Sequence, residues 1–252
     1  MASTIEGKTV KFKVKRQDDP SSKSYYDEFE VPYENGMNVI SLLMATRQYP
    51  QTTNGKATEP VCYESACLEE VCGSCTMLIN GKVRQACTAL VDKIDGAITL
   101  EPMSKFPVKR DLIVDRSNMF EALKKVKAWV EVDGIYDLGE GPKVMPGTQE
   151  DTYLLSRCMT CGCCLEACPQ WTNNGGFIGA HAISQAVLFN THPNGQSTKS
   201  DRTHALIENG LNNCGNAQEC VKACPKDIPL TDSIAKANRM ATEQSIKDLL
   251  NN

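Results

Sequence analysis

At 252 residues the chain exceeds what one hydrophobic core usually fills, so two domains are expected. An apolar content of 41% against 23% charged residues excludes a disordered or collagen-like chain, and a net charge of −4 removes the electrostatic case for nucleic acid. No window approaches about 18 uninterrupted apolar residues, the length of a membrane span, and residues 1–8 lack the apolar stretch of an export signal. The expectation is a globular chain in a reducing compartment, reaching a membrane only through partner subunits.

From Lys8 to Arg16 the apolar Val10, Phe12 and Val14 alternate with charged residues, the period of a half-buried strand. A polar turn at Asp18–Ser22 leads to a partner strand from Tyr26 to Val31. Asn38 to Gln48 reads as a short helix with Val39, Leu42 and Leu43 on one face. Past a cysteine loop, Thr76–Ile79 and Lys82–Ala86 flank Asn80-Gly81, a strong hairpin signal, and Ala97–Leu100 is a further short strand. Residues 1–105 are therefore expected to form a small α+β domain.

The pattern changes between Pro102 and Pro107, and residues 106–252 are assigned to a second, α-helical domain. Asn118-x-x-Glu121 has the form of a capping box, opening a helix that carries Phe120, Leu123, Val126 and Val130. Gly134–Gly147 is rich in Gly and Pro and reads as a surface loop, and Thr152–Arg157 as a helical turn. Ala180–Phe189 and Thr231–Leu250 carry helical periodicity with no competing strand signal.

Eleven of the thirteen cysteines fall into iron–sulfur ligand patterns. Cys67-x4-Cys72-x2-Cys75 followed by Cys87 has the spacing of a plant-type [2Fe–2S] site. Cys158-x2-Cys161-x2-Cys164-x3-Cys168-Pro169 has that of a bacterial ferredoxin run, and a second copy ends at Cys224-Pro225. Soft thiolates suit iron, and short loops bring several of them to one cluster. In two-cluster ferredoxins the fourth cysteine of each run ligates the other cluster, so Cys158, Cys161, Cys164 and Cys224 complete a [4Fe–4S] site. The second run has Cys at 214 and 220 but Ala at 217, which leaves Cys168, Cys214 and Cys220 for the other cluster. Three thiolates fit [3Fe–4S]; a [4Fe–4S] cluster with one labile, water-ligated iron is the rival.

Cys62 and Cys163 remain as packed small residues. Zinc would favour paired C-x2-C knuckles, and only Cys72 and Cys75 make such a pair in the first pattern. Disulfides need an oxidising compartment. No Gly-rich nucleotide fingerprint or nucleophile elbow is present, and His181, His192 and His204 are too scattered for a Rieske pair or zinc triad.

These blocks, with Val108–Asp115 and Phe177-Ile-Gly179, resemble the iron–sulfur subunit of succinate dehydrogenase and fumarate reductase over nearly the whole chain. The resemblance implies a β-grasp [2Fe–2S] ferredoxin domain followed by an α-helical ferredoxin domain. It implies a flavoprotein partner that oxidises succinate at FAD, and a membrane anchor that holds quinone and is a candidate for haem. The succinate site then lies on the partner, with no catalytic residue here, and the subunit sits on the cytoplasmic face of the membrane. Pro169 and Trp171 lie where the family contacts quinone. Two departures stand out: Leu68-Glu69-Glu70 where many members have Arg-Glu-Gly, and Gly215 where ubiquinone-reducing members often have His. The pattern is closer to a menaquinone-type complex. The leading reading is succinate oxidation; fumarate reduction, a free multi-cluster carrier and a zinc-stabilised interaction module are the alternatives.

Two, four and three irons make about nine irons per chain if the ligand patterns hold. Metal analysis of the brown protein should return that value, and four or fewer irons, or stoichiometric zinc, would contradict the three-cluster reading.

Overall fold

The computed structural model describes residues 4–131 and 143–251. Two compact units divide the chain, Met1–Arg116 and Ser117–Asn252. The boundary lies beyond residue 105 because a small hairpin, described below, is tied into the first unit.

In the first unit β1 (Thr4–Arg16), β2 (Tyr25–Glu34), α1 (Val39–Gln48), β3 (Thr76–Ile79), β4 (Lys82–Gln85) and β5 (Ile98–Glu101) follow one another. The strands form one sheet in the order β2-β1-β5-β3-β4. The β1–β5 pair is parallel, with Phe12 opposite Ile98 and Val14 opposite Leu100, and the other pairs are antiparallel. Val10, Phe12 and Val14 point inward together with Phe29 and Val31 of β2, and α1 adds Val39, Ile40, Leu42 and Leu43 to the same core. Burial of these side chains stabilises the unit by roughly 1.5–3 kcal/mol each relative to exposure. The β3–β4 turn is the expected one: Asn80 and Gly81 both have positive φ, which Asn and Gly accept most readily. Asn38 caps α1, its Oδ1 accepting from Ser41 N at 2.9 Å.

Arg16 continues the inward face of β1 and is only 2% exposed. Its Nε donates to Asp111 Oδ1 at 2.8 Å, and its Nη1 to Asp27 Oδ2 at 3.2 Å and to the Glu59 carbonyl at 3.2 Å. Burial alone would lower the guanidinium pKa; the hydrogen bond and charge of Asp111 outweigh it, so the pKa is raised. Asp111 is fully buried and also accepts from Gln17 N and Cys62 N. It sits in the turn between β6 (Val108–Arg110) and β7 (Ile113–Val114), a hairpin too short to show alternation in sequence. One carboxylate thus joins β1, this hairpin and the segment that leads into the first cysteine loop.

The second unit contains α2 (Ser117–Lys125), α3 (Pro146–Ser156), α4 (Cys163–Glu166), α5 (Ala180–Thr191), α6 (Lys199–Glu208), α7 (Glu219–Lys222) and α8 (Leu230–Asn251). Helix α5 is central and packs on α2, α3, α4, α6 and α8. Three sequence expectations need correction. Asn118 lies inside α2 and its Nδ2 donates to Asn173, so it does not form a capping box. Helix α2 stops at Lys125 and does not reach Val130: Lys127 takes φ +47, with Lys127 N donating to Lys124 O and Ala128 N to Leu123 O. That is a left-handed C-terminal cap made without glycine, so the usual stop signal was missing. Of the expected Gly134–Gly147 loop, residues 134–142 lie outside the described residues, while Pro146 and Gly147 open α3, with Pro in its first turn.

Helix α6 was not expected because its inward stripe is polar, with Arg202 and Thr203 buried beside Leu206. Arg202 donates to the carbonyls of Lys127, Trp129 and Gly195 and to Asn190 Oδ1 at 2.8–3.1 Å. Dipoles of four acceptors hold this buried cation.

Replacing Asp111 by Ala leaves Arg16 buried with a weakened partner set, and breaking a buried pair in this way typically costs about 3–5 kcal/mol. Chemical denaturation of Asp111→Ala should show a loss of that order, and a change within about 0.5 kcal/mol would show the pair to be replaceable.

Candidate metal centres

The loop joining Cys67 to Cys75 winds through Leu68 and Glu70, both with positive φ, and Gly73. This alternation turns successive N–H groups to one side, as in anion-binding nests. Glu69 N, Val71 N and Cys72 N all donate to Cys67 Sγ at 3.3–3.4 Å, and Ser74 N to Cys72 Sγ at 3.5 Å. Glu70 therefore adopts the conformation that a glycine would take there, and its carboxylate accepts from Thr88 Oγ1 at 2.9 Å, next to Cys87. Hydrogen bonding from Ser74, with further bonds from Cys67, lowers the Cys72 thiol pKa to about 6. Cys87 is pushed up to about 11, first by burial and then by the hydrogen bond with Cys75. Cys67, Cys72, Cys75 and Cys87 are thus brought to one place.

Three residues outside the sequence reading hold this loop. Arg116 Nη1 and Nη2 donate to the carbonyls of Gly73 and Ser74, each at 2.8 Å. The Asn38 side chain donates to Cys87 O at 2.9 Å, tying the start of α1 to the fourth cysteine. Buried Gln85 accepts from Cys75 Sγ at 3.4 Å and donates to Thr76 Oγ1 at 2.8 Å. Gln85 and Arg116 had no spacing signal; both act across the fold.

In the second unit two cavities border the remaining cysteines. One is lined by Cys158, Cys161, Cys163, Cys164 and Cys224, with His181 and Ile228. The other is lined by Cys168, Cys214 and Cys220, with Gln170, Phe177 and Ala217. Cys224 thus borders the first cavity with the cysteines of the first run, and Cys168 borders the second with Cys214 and Cys220. Cys163 is fully buried and borders the first cavity between two expected ligands.

The two runs share one backbone, each residue matching another 56 positions on. Thr160 and Gly162 have positive φ, as do Asn216 and Gln218. Gly162 precedes α4 and Gln218 precedes α7, and both short helices end in right-handed Ala, at 167 and 223. Cys168 N donates to Leu165 O and Cys224 N to Val221 O, both at 3.2 Å. Ala217 therefore occupies the place that Cys161 holds in the first run.

Cys164 is raised well above the ordinary thiol range by burial, then by Cys161, Cys158 and Cys224. Burial, then Cys168 and Cys214, raises Cys220. Such thiols ionise readily only if positive charge enters, which a metal cluster supplies. Among the described residues no three His, Cys, Asp or Glu donors converge on a single ion. Sulfurs set around a cavity instead suit a polynuclear iron–sulfur group, so the donor set fits the clusters.

His181 is buried, with Nε2 3.1 Å from Met119 O, and burial lowers its pKa to about 4. His204 pairs with Asp248 at the surface, and His192 accepts from Asn194 N. Pro169 is exposed, whereas Trp171 is 5% exposed and packs inward.

The comparisons agree with this construction. A family model described as a 2Fe-2S iron-sulfur cluster binding domain matches residues 11–121, and one described as a 4Fe-4S dicluster domain matches 154–228. The chain is 52% identical over 244 residues to the succinate dehydrogenase iron-sulfur subunit of Bacillus subtilis, covering 96% of each. It is 30% identical to the fumarate reductase iron-sulfur subunit of Wolinella succinogenes, covering 92% of this chain and 97% of that one. In fold it is similar to a chain of the Mycobacterium smegmatis Sdh1 complex in the apo form, with a TM-score of 0.74 at 23% identity over 96% of this chain and 98% of that one.

Fold and sites together define an iron–sulfur electron-transfer protein of the ferredoxin type. Within that class, the chain belongs to the family of succinate dehydrogenase and fumarate reductase iron–sulfur subunits.

Because Ala217 stands where the first run has a cysteine, Ala217→Cys should supply a fourth ligand and convert [3Fe–4S] to [4Fe–4S]. The oxidised wild type should show the [3Fe–4S] electron paramagnetic resonance signal and the variant should lose it, gaining one iron. Its potential should fall, since cluster type and charge set potential. A wild type silent in the oxidised state would favour the labile [4Fe–4S] assignment.

Proposed function

We propose that this chain is the electron wire of a succinate:quinone oxidoreductase, passing electrons between a flavoprotein and quinone held at a membrane anchor. The observation that supports it most is the spacing of eleven cysteines, read as groups of four, four and three, with Cys224 bordering one cavity and Cys168 the other. When bound, the clusters supply successive one-electron sites, [2Fe–2S], then [4Fe–4S], then [3Fe–4S], between FAD and quinone.

The residues serve that path in distinct ways. Cys67, Cys72, Cys75 and Cys87 would hold the first cluster, and the amides of the 67–75 loop would face its sulfurs. Leu68 and Val71 are 52% and 58% exposed on that loop, an apolar rim suited to a docked flavoprotein. This exposed apolar pair favours a fixed partner over a freely diffusing carrier. Cys158, Cys161, Cys164 and Cys224 would hold the second cluster behind largely buried walls, which limits contact with water. Cys168, Cys214 and Cys220 would hold the third beneath the exposed segment 215–218. That open edge is the side on which an acceptor can approach.

Pro169, exposed beside the same edge, and Trp171, 5% exposed, are proposed as quinone contacts. Gly215 brings no imidazole to the site, in keeping with a menaquinone-type complex. Among the described residues no helix is long and apolar enough to cross a membrane. The anchor would hold this subunit against the cytoplasmic face, with FAD, quinone and any haem on the partners. Succinate oxidation is the proposed direction, on the 52% identity to a succinate dehydrogenase subunit.

Purification of the native protein in detergent should bring down a flavoprotein and an apolar anchor together. Cross-links should place the flavoprotein near Leu68 and Val71 and the anchor near Gly215–Gln218. The anchor beside Cys72 and remote from Cys214 would reverse the order, and a chain that elutes alone with its clusters would support the carrier.

A further inference from the structure

Gln170 follows Cys168-Pro169 and is half-buried at the cavity that Cys168, Cys214 and Cys220 border. Its Oε1 lies 3.9 Å from Cys168 Sγ. On its other side the carboxamide rests over Gly215: a Cβ at 215 would come within 2.5 Å of Gln170 Nε2 and 3.0 Å of Cδ. The absent side chain at 215 is therefore the space that the Gln170 carboxamide fills, spanning from Cys168 to the residue after Cys214.

From this juxtaposition we infer that Gln170 is a positioning residue for the third centre, its carboxamide held by the gap at Gly215 and supplying a hydrogen bond to the Cys168 sulfur. The inference rests on the proposed cluster assignment. In the thiol form Cys168 donates to Oε1. A thiolate bound to iron only accepts, so the carboxamide turns about its last bond and presents Nε2–H. Reduction adds negative charge at the cluster, and a donor to a ligand sulfur stabilises the reduced state more than the oxidised one. The pair Gln170–Gly215 thereby raises the potential of the terminal centre, which favours its filling from the wire.

The test is redox titration of the purified complex, followed by the electron paramagnetic resonance signal of the third cluster. Gln170→Leu, which keeps bulk and removes the donor, should lower the reduced-to-oxidised ratio at fixed ambient potential about tenfold, equivalent to about 59 mV for one electron. Gly215→Ala should shift it in the same direction by displacing the carboxamide while leaving Gln170 in the sequence. Because both changes break one contact, the double variant should match the larger single shift and not their sum. A full-strength third signal with an unchanged potential in both single variants overturns the inference alone. A wild type with no third-cluster signal, oxidised or reduced, overturns the cluster assignment and the inference with it.

Discussion

Bringing ionisable sulfurs together is the constraint on which the rest of this structure depends. Packed thiols lose hydration and, once ionised, repel one another, so burial and neighbours raise Cys164 and Cys220. Two things can offset that: the positive charge of iron, and backbone amides turned toward sulfur. The chain prepares the second before the first arrives. Positive-φ residues recur in every cysteine run, at Leu68 and Glu70, at Thr160 and Gly162, and at Asn216 and Gln218. Most are not glycine, and left-handed backbone costs such residues roughly 1–2 kcal/mol each. That strain is retained where it orients donors, as the three amides converging on Cys67 Sγ show.

Around these loops the fold uses buried polar anchors where a purely apolar core would leave the loops free to move. Asp111 joins a strand end, a hairpin and the approach to the first cysteine loop through Arg16, Gln17 and Cys62. Arg116 fixes the carbonyls between Cys72 and Cys75. Arg202 gathers the carbonyls that follow α2 and those near the end of α5. Each is directional, and a misplaced partner would leave a buried charge unpaired. Directionality is useful where sulfur positions must be held to fractions of an ångström, since cluster potential responds to hydrogen bonding and exposure.

Exposure differs between the cysteine sites in a way that fits the proposed electron path. The first loop and the 215–218 segment face outward, whereas the walls of the Cys158–Cys164 cavity are mostly buried. A centre that exchanges electrons with another protein or a quinone needs a thin edge, and one that only relays them needs enclosure. The near-identical backbone of the two ferredoxin runs shows how this difference arises with little structural change. The same turns and the same short helices carry a cysteine at 161 and an alanine at 217.

Much of this was legible in the chain itself. Cysteine spacing marked the two runs, because ligands to a compact cluster sit at short fixed intervals, and the crossed-ligand rule of two-cluster ferredoxins suggested Cys224 for the first cluster and Cys168 for the second. Alternation in Val10, Phe12 and Val14 and the Asn80-Gly81 turn marked a strand and a hairpin, since local periodicity and turn chemistry are written in adjacent residues, but not the sheet order. Helix α6 and the end of α2 escaped that reading because their determinants are a buried arginine and a left-handed lysine, neither of which differs in sequence from a surface residue. Only the tertiary structure set Asp111 against Arg16, 95 positions apart, and the Gln170 carboxamide over Gly215. Spacing marks which cysteines are candidate ligands because short fixed intervals within a run are a local property of the chain. Which side chains hold and tune each centre depends on contacts between distant segments, and those exist only once the core has packed.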